Sequence, residues 1–510
     1  MSNRVCAACT ILVLLILNAY PLYQMATTGG YLFYQNGFDE PGYLNYQMAG
    51  EYVSISRVTQ IGERLVLLGH KVGLSGGWIN FLLDLSSIAA FVFLARQALR
   101  QCGFDERESN LFALLVTILP IVFLVQTPIG TELLNRYMAS DLIRWLATPS
   151  QTNFLPIVRT PEPQVSFVIL GLAVWVALKL RSFVPVFAGL PLLYPFIAIP
   201  SLFILLSVLF RSRFPRMGKN PAVPLLLSFA IVSTLLSVYF RFFVGQTVKE
   251  AMAHLHSPLL SATGVVSVSA FAMLHNRIRV EHRYFALAVA LAPLAAVNQQ
   301  IISGWTAQPY NFELYFGLAS LSLVLIFALR CCRRIALGLA AISMAALAYS
   351  QIDPYGAFQF HFNYETNRSM TLNAELVSAL RSDPGHVAIS NLNLASAASL
   401  IFPRQAATAL AYQRTIGTSV VKQNYADYLC LRRAVLDSRF ADEFRPACTV
   451  LDHAFRYQGL DYALLHLGRR KNFDVKNELA ERPAKCPPAR YLLVTADGKT
   501  SELRPGGPVP

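Results

Sequence analysis

The chain has 510 residues, 54% of them hydrophobic and 14% charged, with a mean hydropathy of +0.44 and a formal charge of +14. That balance is too apolar for an ordinary soluble enzyme of this length. No basic helix or aromatic stacking motif accompanies the charge, so a nucleic-acid partner is not expected, whereas contact with anionic membrane lipid is.

Apolar runs with few or no charges recur at 11–20, 81–94, 165–179, 225–239 and 312–329. With their flanks they approach the ~20 residues that a helix needs to cross a hydrocarbon core. The first, about residues 5–25, follows Arg4. It lacks a small-residue cleavage pair and many spans follow it, so it reads as a transmembrane helix rather than a secretory signal. Further spans are predicted at 78–95, 111–126 and 165–180. Residues 183–210 read as two short helices broken at Tyr194-Pro195, with Pro191, Pro195 and Pro200 supplying the breaks. The rest lie at 222–239, 259–274, 284–297, 312–329 and 335–349, which makes about eleven.

Every connection dense in Lys and Arg falls on one side of this arrangement. The residues are Arg4; Arg96, Arg100 and Arg107; Lys179 and Arg181; Arg211, Arg213, Arg216 and Lys219; Arg277, Arg279 and Arg283; and Arg330, Arg333 and Arg334. Short basic loops stay cytoplasmic, which places the N-terminus inside and everything after about residue 351 outside.

Beyond residue 353 the chain turns polar. Strands are predicted at 386–390, 462–466 and 491–495 and helices at 392–402 and 425–440, with Asp497-Gly498 turning the chain into 500–503. The predicted fold is thus an α-helical polytopic membrane protein over residues 1–350 with an extracytoplasmic α/β domain over 351–510. Cys430, Cys448 and Cys486 lie in that outer domain, where a Cys430–Cys448 disulfide is the favoured pairing. None of these three has a His or Cys partner at metal-site spacing, so no structural zinc is expected.

Chemistry-bearing residues concentrate in the outer connections. The first, residues 26–77, carries Asp39 and Glu40 side by side among Tyr31, Phe33, Tyr34, Phe38, Tyr43 and Tyr46. Adjacent carboxylates repel, and in an enclosed site one gains basicity enough to act as a general base. Asp-Glu-Pro-Gly is equally the composition of a solvated turn. The second, residues 127–164, carries Glu132, Arg136, Asp141, Arg144 and Arg159. Their spacing fits an interfacial helix with internal ion pairs, or an arginine clamp for a phosphate. Arg241, Lys249, His254 and His256 follow a later span. The two histidines are surface residues or an isolated pair of metal ligands. Asn298-Gln299-Gln300 and Tyr310 close the set; amides at a membrane boundary face protein or a cavity, as a helix cap or as a surface for a polyhydroxylated substrate.

One helix, a long outer loop opening on Asp39-Glu40, about eleven spans and an outer C-terminal α/β domain together resemble the GT-C class of membrane glycosyltransferases, which take sugars from polyprenyl-phosphate carriers. The broken pair at Tyr194-Pro195 and the segment 298–304 are similar to bacterial members of that class. The resemblance covers roughly residues 1–349 and implies a site on the outer face of a bacterial inner membrane. It implies Asp39 as base on an acceptor hydroxyl, with Glu40 tuning it or binding the acceptor. Arg136, Arg144 and Arg159, with Arg241 or Lys249, would hold the donor phosphate. Tyr43, Gln299, Gln300 and Tyr310 would contact substrate. The partners implied are the lipid-linked sugar donor and a glycan or lipid acceptor. A carboxylate base with cationic clamping needs no metal; a divalent ion on Asp39, Glu40 and His256 is the alternative. Competing classes are a transporter or flippase for a polar or lipid-linked solute, and an inactive scaffolding relative.

Overall fold

A computed structural model of the chain describes residues 2–28, 61–74, 76–123, 157, 163–214, 220–242, 253–254, 256, 258–259, 261–306, 312–330, 332–350, 386–389, 433, 435–445, 491–494 and 500–503. Helices dominate these residues: α1 (Asn3–Thr28), α2 (Ile61–Lys71), α3 (Gly76–Gln101), α4 (Glu106–Ile118) and α5 (Pro120–Phe123) come first. Then follow α6 (Gln164–Leu180), α7 (Val184–Gly189), α8 (Pro195–Arg213), α9 (Ala222–Phe242), α10 (Ala262–Leu274), α11 (Val280–Asn298), α12 (Gln300–Ser303), a π turn (Glu313–Gly317), α13 (Leu318–Leu329) and α14 (Arg333–Ser350).

Local chemistry sets the helix ends. Asp105 accepts the Glu108 N–H at 2.7 Å while the Glu108 carboxylate accepts the Asp105 N–H at 3.1 Å, a reciprocal cap that starts α4. The span predicted at 111–126 therefore begins a turn and a half earlier, and it breaks where Pro120 opens α5. Tyr194 is extended ahead of Pro195, so α8 starts at the break that the prolines predict. Ser261 caps α10 by accepting the Gly264 N–H at 2.9 Å.

Four described segments are long and apolar enough to cross a membrane: Phe81–Gln101, Pro195–Arg213, Ala222–Tyr239 and Val280–Ser303. Asn3–Leu17, Gln164–Leu180 and Tyr315–Leu329 are apolar but shorter. The core is apolar, with Phe112, Leu111, Leu114 and Ile118 fully buried, but the exposed surface is apolar too. Large apolar residues such as Ile11, Leu15, Leu226, Leu235 and Ile342 are exposed, while Ser207, Ser228, Ser320 and Ser322 are fully buried. The buried hydroxyls bond to backbone: Ser207 to Phe203 O at 2.8 Å, Ser228 to Pro224 O at 2.7 Å, and Ser320 across helices to Val289 O at 2.6 Å. Helices that meet lipid outside and close-packed small residues inside show this pattern. At the centre, the buried alanines 286, 288, 290, 292 and 296 of α11 let α8, α10 and α13 approach closely.

The basic turns gather at one end of the bundle. Asn3 reaches Glu106, which also takes Arg96 at 3.3 Å. Arg330 bonds Glu108 at 3.3 Å and the Gly103 carbonyl, with its guanidinium 4.0 Å from the Phe104 ring. Arg277 reaches Cys332, and Arg211 lies 4.2 Å over the Tyr284 ring. These contacts join the start of α1, the end of α3, the start of α4, the end of α8, the start of α11 and the end of α13. Arg330 differs from the headgroup-facing role that its loop position implies: it is buried and holds one turn to another.

In the C-terminal region, β3 (His386–Ile389) pairs parallel with β4 (Tyr491–Val494), which pairs antiparallel with β5 (Thr500–Leu503). Three of the predicted strand positions coincide with these. The parallel pair needs a crossover connection. The predicted strand at 462–466, the helix at 392–402 and Cys430, Cys448 and Cys486 lie outside the described residues.

Candidate functional site

Opposite the basic turns, the helix ends carry buried polar side chains. Helices α3 and α6 run side by side in the same direction: Phe91 meets Phe167 edge-on at 5.8 Å, Phe93 meets Trp175 at 6.4 Å, and Gly171 admits Leu94 against its backbone. At the end away from Arg96 and Arg100, this pairing brings Asp84 to Gln164, whose Nε2 donates to Asp84 Oδ1 at 2.5 Å. Asp84 is 9% exposed and Gln164 is fully buried. Two residues along α6, Ser166 Oγ accepts the Tyr194 N–H at 2.7 Å, a donor stranded by the break before Pro195. The Tyr194 ring leads into an aromatic group: 5.7 Å to Tyr315 and 5.2 Å to Phe196, which lies 4.9 Å from Phe312.

The amide row sits at the same end, where α11 turns into α12. Asn298 brackets Leu259, accepting its N–H at 2.7 Å and donating to its carbonyl at 2.8 Å. Gln299 donates to Trp305 O at 2.7 Å and accepts from Ser303 Oγ at 2.6 Å. Gly304 makes the turn at φ +76°, where a side chain would be strained and would press on the His256 ring. His256 Nδ1 lies 3.0 Å from Ile301 O. A short antiparallel bridge aligns β1 (Ala253–His254) with β2 (Trp305–Thr306). Asn298 and Gln299 thus hold backbone in place, a use beyond the cap and the substrate surface considered from sequence. Gln300 is fully buried beside them.

Of the other predicted site residues, Arg241 is exposed in the last turn of α9. Asp39, Glu40, Tyr43, Arg136, Arg144, Arg159, Lys249 and Tyr310 lie outside the described residues. The structure therefore brings Gln299 and Gln300 together with His256. The feature missed in the sequence is Asp84. Its signal was present, since it is the sole charged residue of the run 78–95. An ionisable group inside an apolar helix marks a functional site by default, because lipid penalises it heavily. Chemically, Asp84 and Gln164 present carboxylate acceptors beside an amide that both donates and accepts.

The described portion is mostly helical, with four helices long and apolar enough to cross a membrane. No protein-family model matches the chain, and no curated protein matches it.

Proposed function

We propose that the chain is a multi-pass membrane glycosyltransferase. It moves a sugar from a polyprenyl-phosphate carrier to an envelope glycan or lipid acceptor on the outer face of a bacterial inner membrane. About eleven spans carry the site, and the outer α/β domain stands beside it. The class comes from the resemblance in chain organisation. The observation that carries the sidedness is the division of the helical bundle: arginine-rich turns bond together at one end, and buried polar side chains collect at the other. A lipid-linked donor suits that second end, since its prenyl tail stays in lipid while its sugar phosphate meets water.

In this reading Asp39 takes the proton of the acceptor hydroxyl, whose oxygen attacks the anomeric carbon. The bond from that carbon to the phosphate oxygen breaks, and the electron pair leaves with the phosphate. Arg136, Arg144 and Arg159, with Arg241 or Lys249, stabilise the charge that develops there. Glu40 tunes Asp39 or orients the acceptor, and Tyr43 and Tyr310 contact the sugar. Asp39→Asn keeps shape and removes basicity. With radiolabelled polyprenyl-phosphate sugar, transfer falls by about 10²-fold or more at unchanged protein yield; turnover at the wild-type rate refutes the assignment.

The buried Asp84 favours a second reading, since carboxylates inside spans also line solute pathways. Uptake of a polar solute into proteoliposomes without any covalent product would select the transporter.

A further inference from the structure

We infer that the seam between α3 and α6 at the basic end of the bundle seats one anionic phospholipid, a site independent of what the chain transfers. The two helices run side by side and both end there. Phe93 and Trp175 meet edge-on across the seam at 6.4 Å, and Phe93 is 50% exposed. Arg100 stands two turns further along Phe93's face of α3, and Lys179 one turn beyond Trp175 on its face of α6; both are exposed. The Lys179 ammonium folds back to 5.7 Å from the centre of the Trp175 ring, which holds it over the seam. In the other direction, Ala89 and Leu172 are exposed on the same two faces, one turn back from the rings. They begin an apolar strip on which an acyl chain can lie.

Charge decides the occupant. The acids around the turn after α3 are already engaged: Asp105 accepts the Glu108 N–H, Glu106 takes Arg96, and Glu108 takes Arg330. Among the described residues, neither Arg100 nor Lys179 has a carboxylate partner, and the Trp175 indole N–H donates to no acceptor. Two cations and an indole N–H beside paired rings suit a phosphate whose tail covers the rings. A phosphate without a tail leaves the rings and the strip unused. A zwitterionic headgroup brings an ammonium of its own, which the two cations repel, so the phospholipid is one of net negative charge. Basic turns and aromatic belts attract lipid diffusely at any membrane boundary. A seat differs because the ring pair, the held ammonium and the unmatched guanidinium belong to one seam.

The test is native mass spectrometry of the full chain, released from detergent that carries equal amounts of phosphatidylglycerol and phosphatidylcholine. The wild type should retain one phosphatidylglycerol about tenfold more often than one phosphatidylcholine. Arg100→Gln with Lys179→Gln should bring that preference close to parity. Arg181→Gln with Arg279→Gln removes the same charge from the left-handed turn after α6 and from the start of α11, and should leave the preference within about twofold. Trp175→Leu keeps the charge and should lower phosphatidylglycerol retention by about threefold. The two lipids are compared within each sample, so a variant that folds less well still answers. Equal retention of both lipids by the wild type overturns the seat, because the seam then has no preference for an anion. An equal drop in the two double variants overturns it in favour of a diffuse field, and unchanged retention by Trp175→Leu removes it from this seam. Displacement of the lipid by millimolar inorganic phosphate, as complete as by excess phosphatidylglycerol, assigns the cations to free phosphate and overturns the lipid.

Discussion

Arg330 brings a charge into a place nearly closed to water, where Nε and Nη2 are bonded and Nη1 is buried without a hydrogen-bond partner among the described residues. Glu108 supplies the counter-charge, the Gly103 carbonyl accepts an N–H, and the Phe104 ring covers one face. Glu108 is at the same time half of the reciprocal cap of α4, so one carboxylate serves two turns. Arg330→Met leaves that carboxylate without its cation and should destabilise the protein by on the order of 3 kcal/mol, measured as loss of thermal stability in detergent. Arg330→Met combined with Glu108→Gln should recover part of the loss, since the orphaned charge is then gone. Close by, burial pushes the Cys102 thiol up, against a smaller opposing pull from Arg330. The folded state therefore holds this proton more tightly than the unfolded chain does. Its contribution to stability is complete below the ordinary thiol range and is lost as pH rises through the folded value. Maleimide should label Cys102 more slowly than an exposed thiol near neutral pH. The deficit should close as pH rises past the ordinary thiol range, in a variant where Cys102 is the remaining cysteine. Labelling as fast as a free thiol at pH 7 contradicts that burial.

Among elements, the π turn Glu313–Gly317 makes a close approach to a neighbouring helix. A Cβ on Gly317 would overlap the Thr263 side chain, and a Cβ on Gly264 would come 2.6 Å from Leu294 Cγ. Helix α10 thus lies against two neighbours at separations that only glycine permits. Gly317→Ala should lower stability by about 1–3 kcal/mol, and adding Thr263→Gly, which removes the Cβ that would sit 2.6 Å away, should restore part of it; an undisturbed melting temperature in the single variant argues against the close approach. The helices themselves were largely legible, because apolar runs and prolines act locally. Pro195 stops one helix and starts another whatever surrounds it. Where partners decide, legibility fails. The Asn298-Gln299 amides fold back onto Leu259 and Trp305, which depends on a turn at Gly304 that spacing does not reveal. Asp84 was passed over because one carboxylate barely alters the hydropathy of its run, and its meaning depends on Gln164, 80 residues away. The proposed catalytic role of Asp39 and Glu40 rests on the resemblance, since those positions lie outside the described residues.

For the whole molecule, the bonding of the basic turns at one end makes a test of sidedness direct. Val72 follows α2 near the start of α3, and Arg100 stands at that helix's other end; both are exposed. In a cysteine-free background, Val72→Cys should react with a membrane-impermeant maleimide in intact cells, and Arg100→Cys only after permeabilisation. Equal labelling of both in intact cells would dissolve the orientation and, with it, the outer placement of any transfer reaction. Beyond residue 353, three of the strand positions expected from alternation and turn residues are strands.

Ser320, Ser207 and Ser228 face inward while Leu226 and Ile342 face out, and that arrangement governs how the chain tolerates change. Rules written for aqueous proteins would replace these buried serines with leucine and decorate the exterior with lysine. Here the first change would wedge α11 from α13, and the second would place ammonium groups in the lipid annulus. Directed evolution toward a hardier variant should therefore enrich smaller residues at the centre and leave the greasy rim untouched.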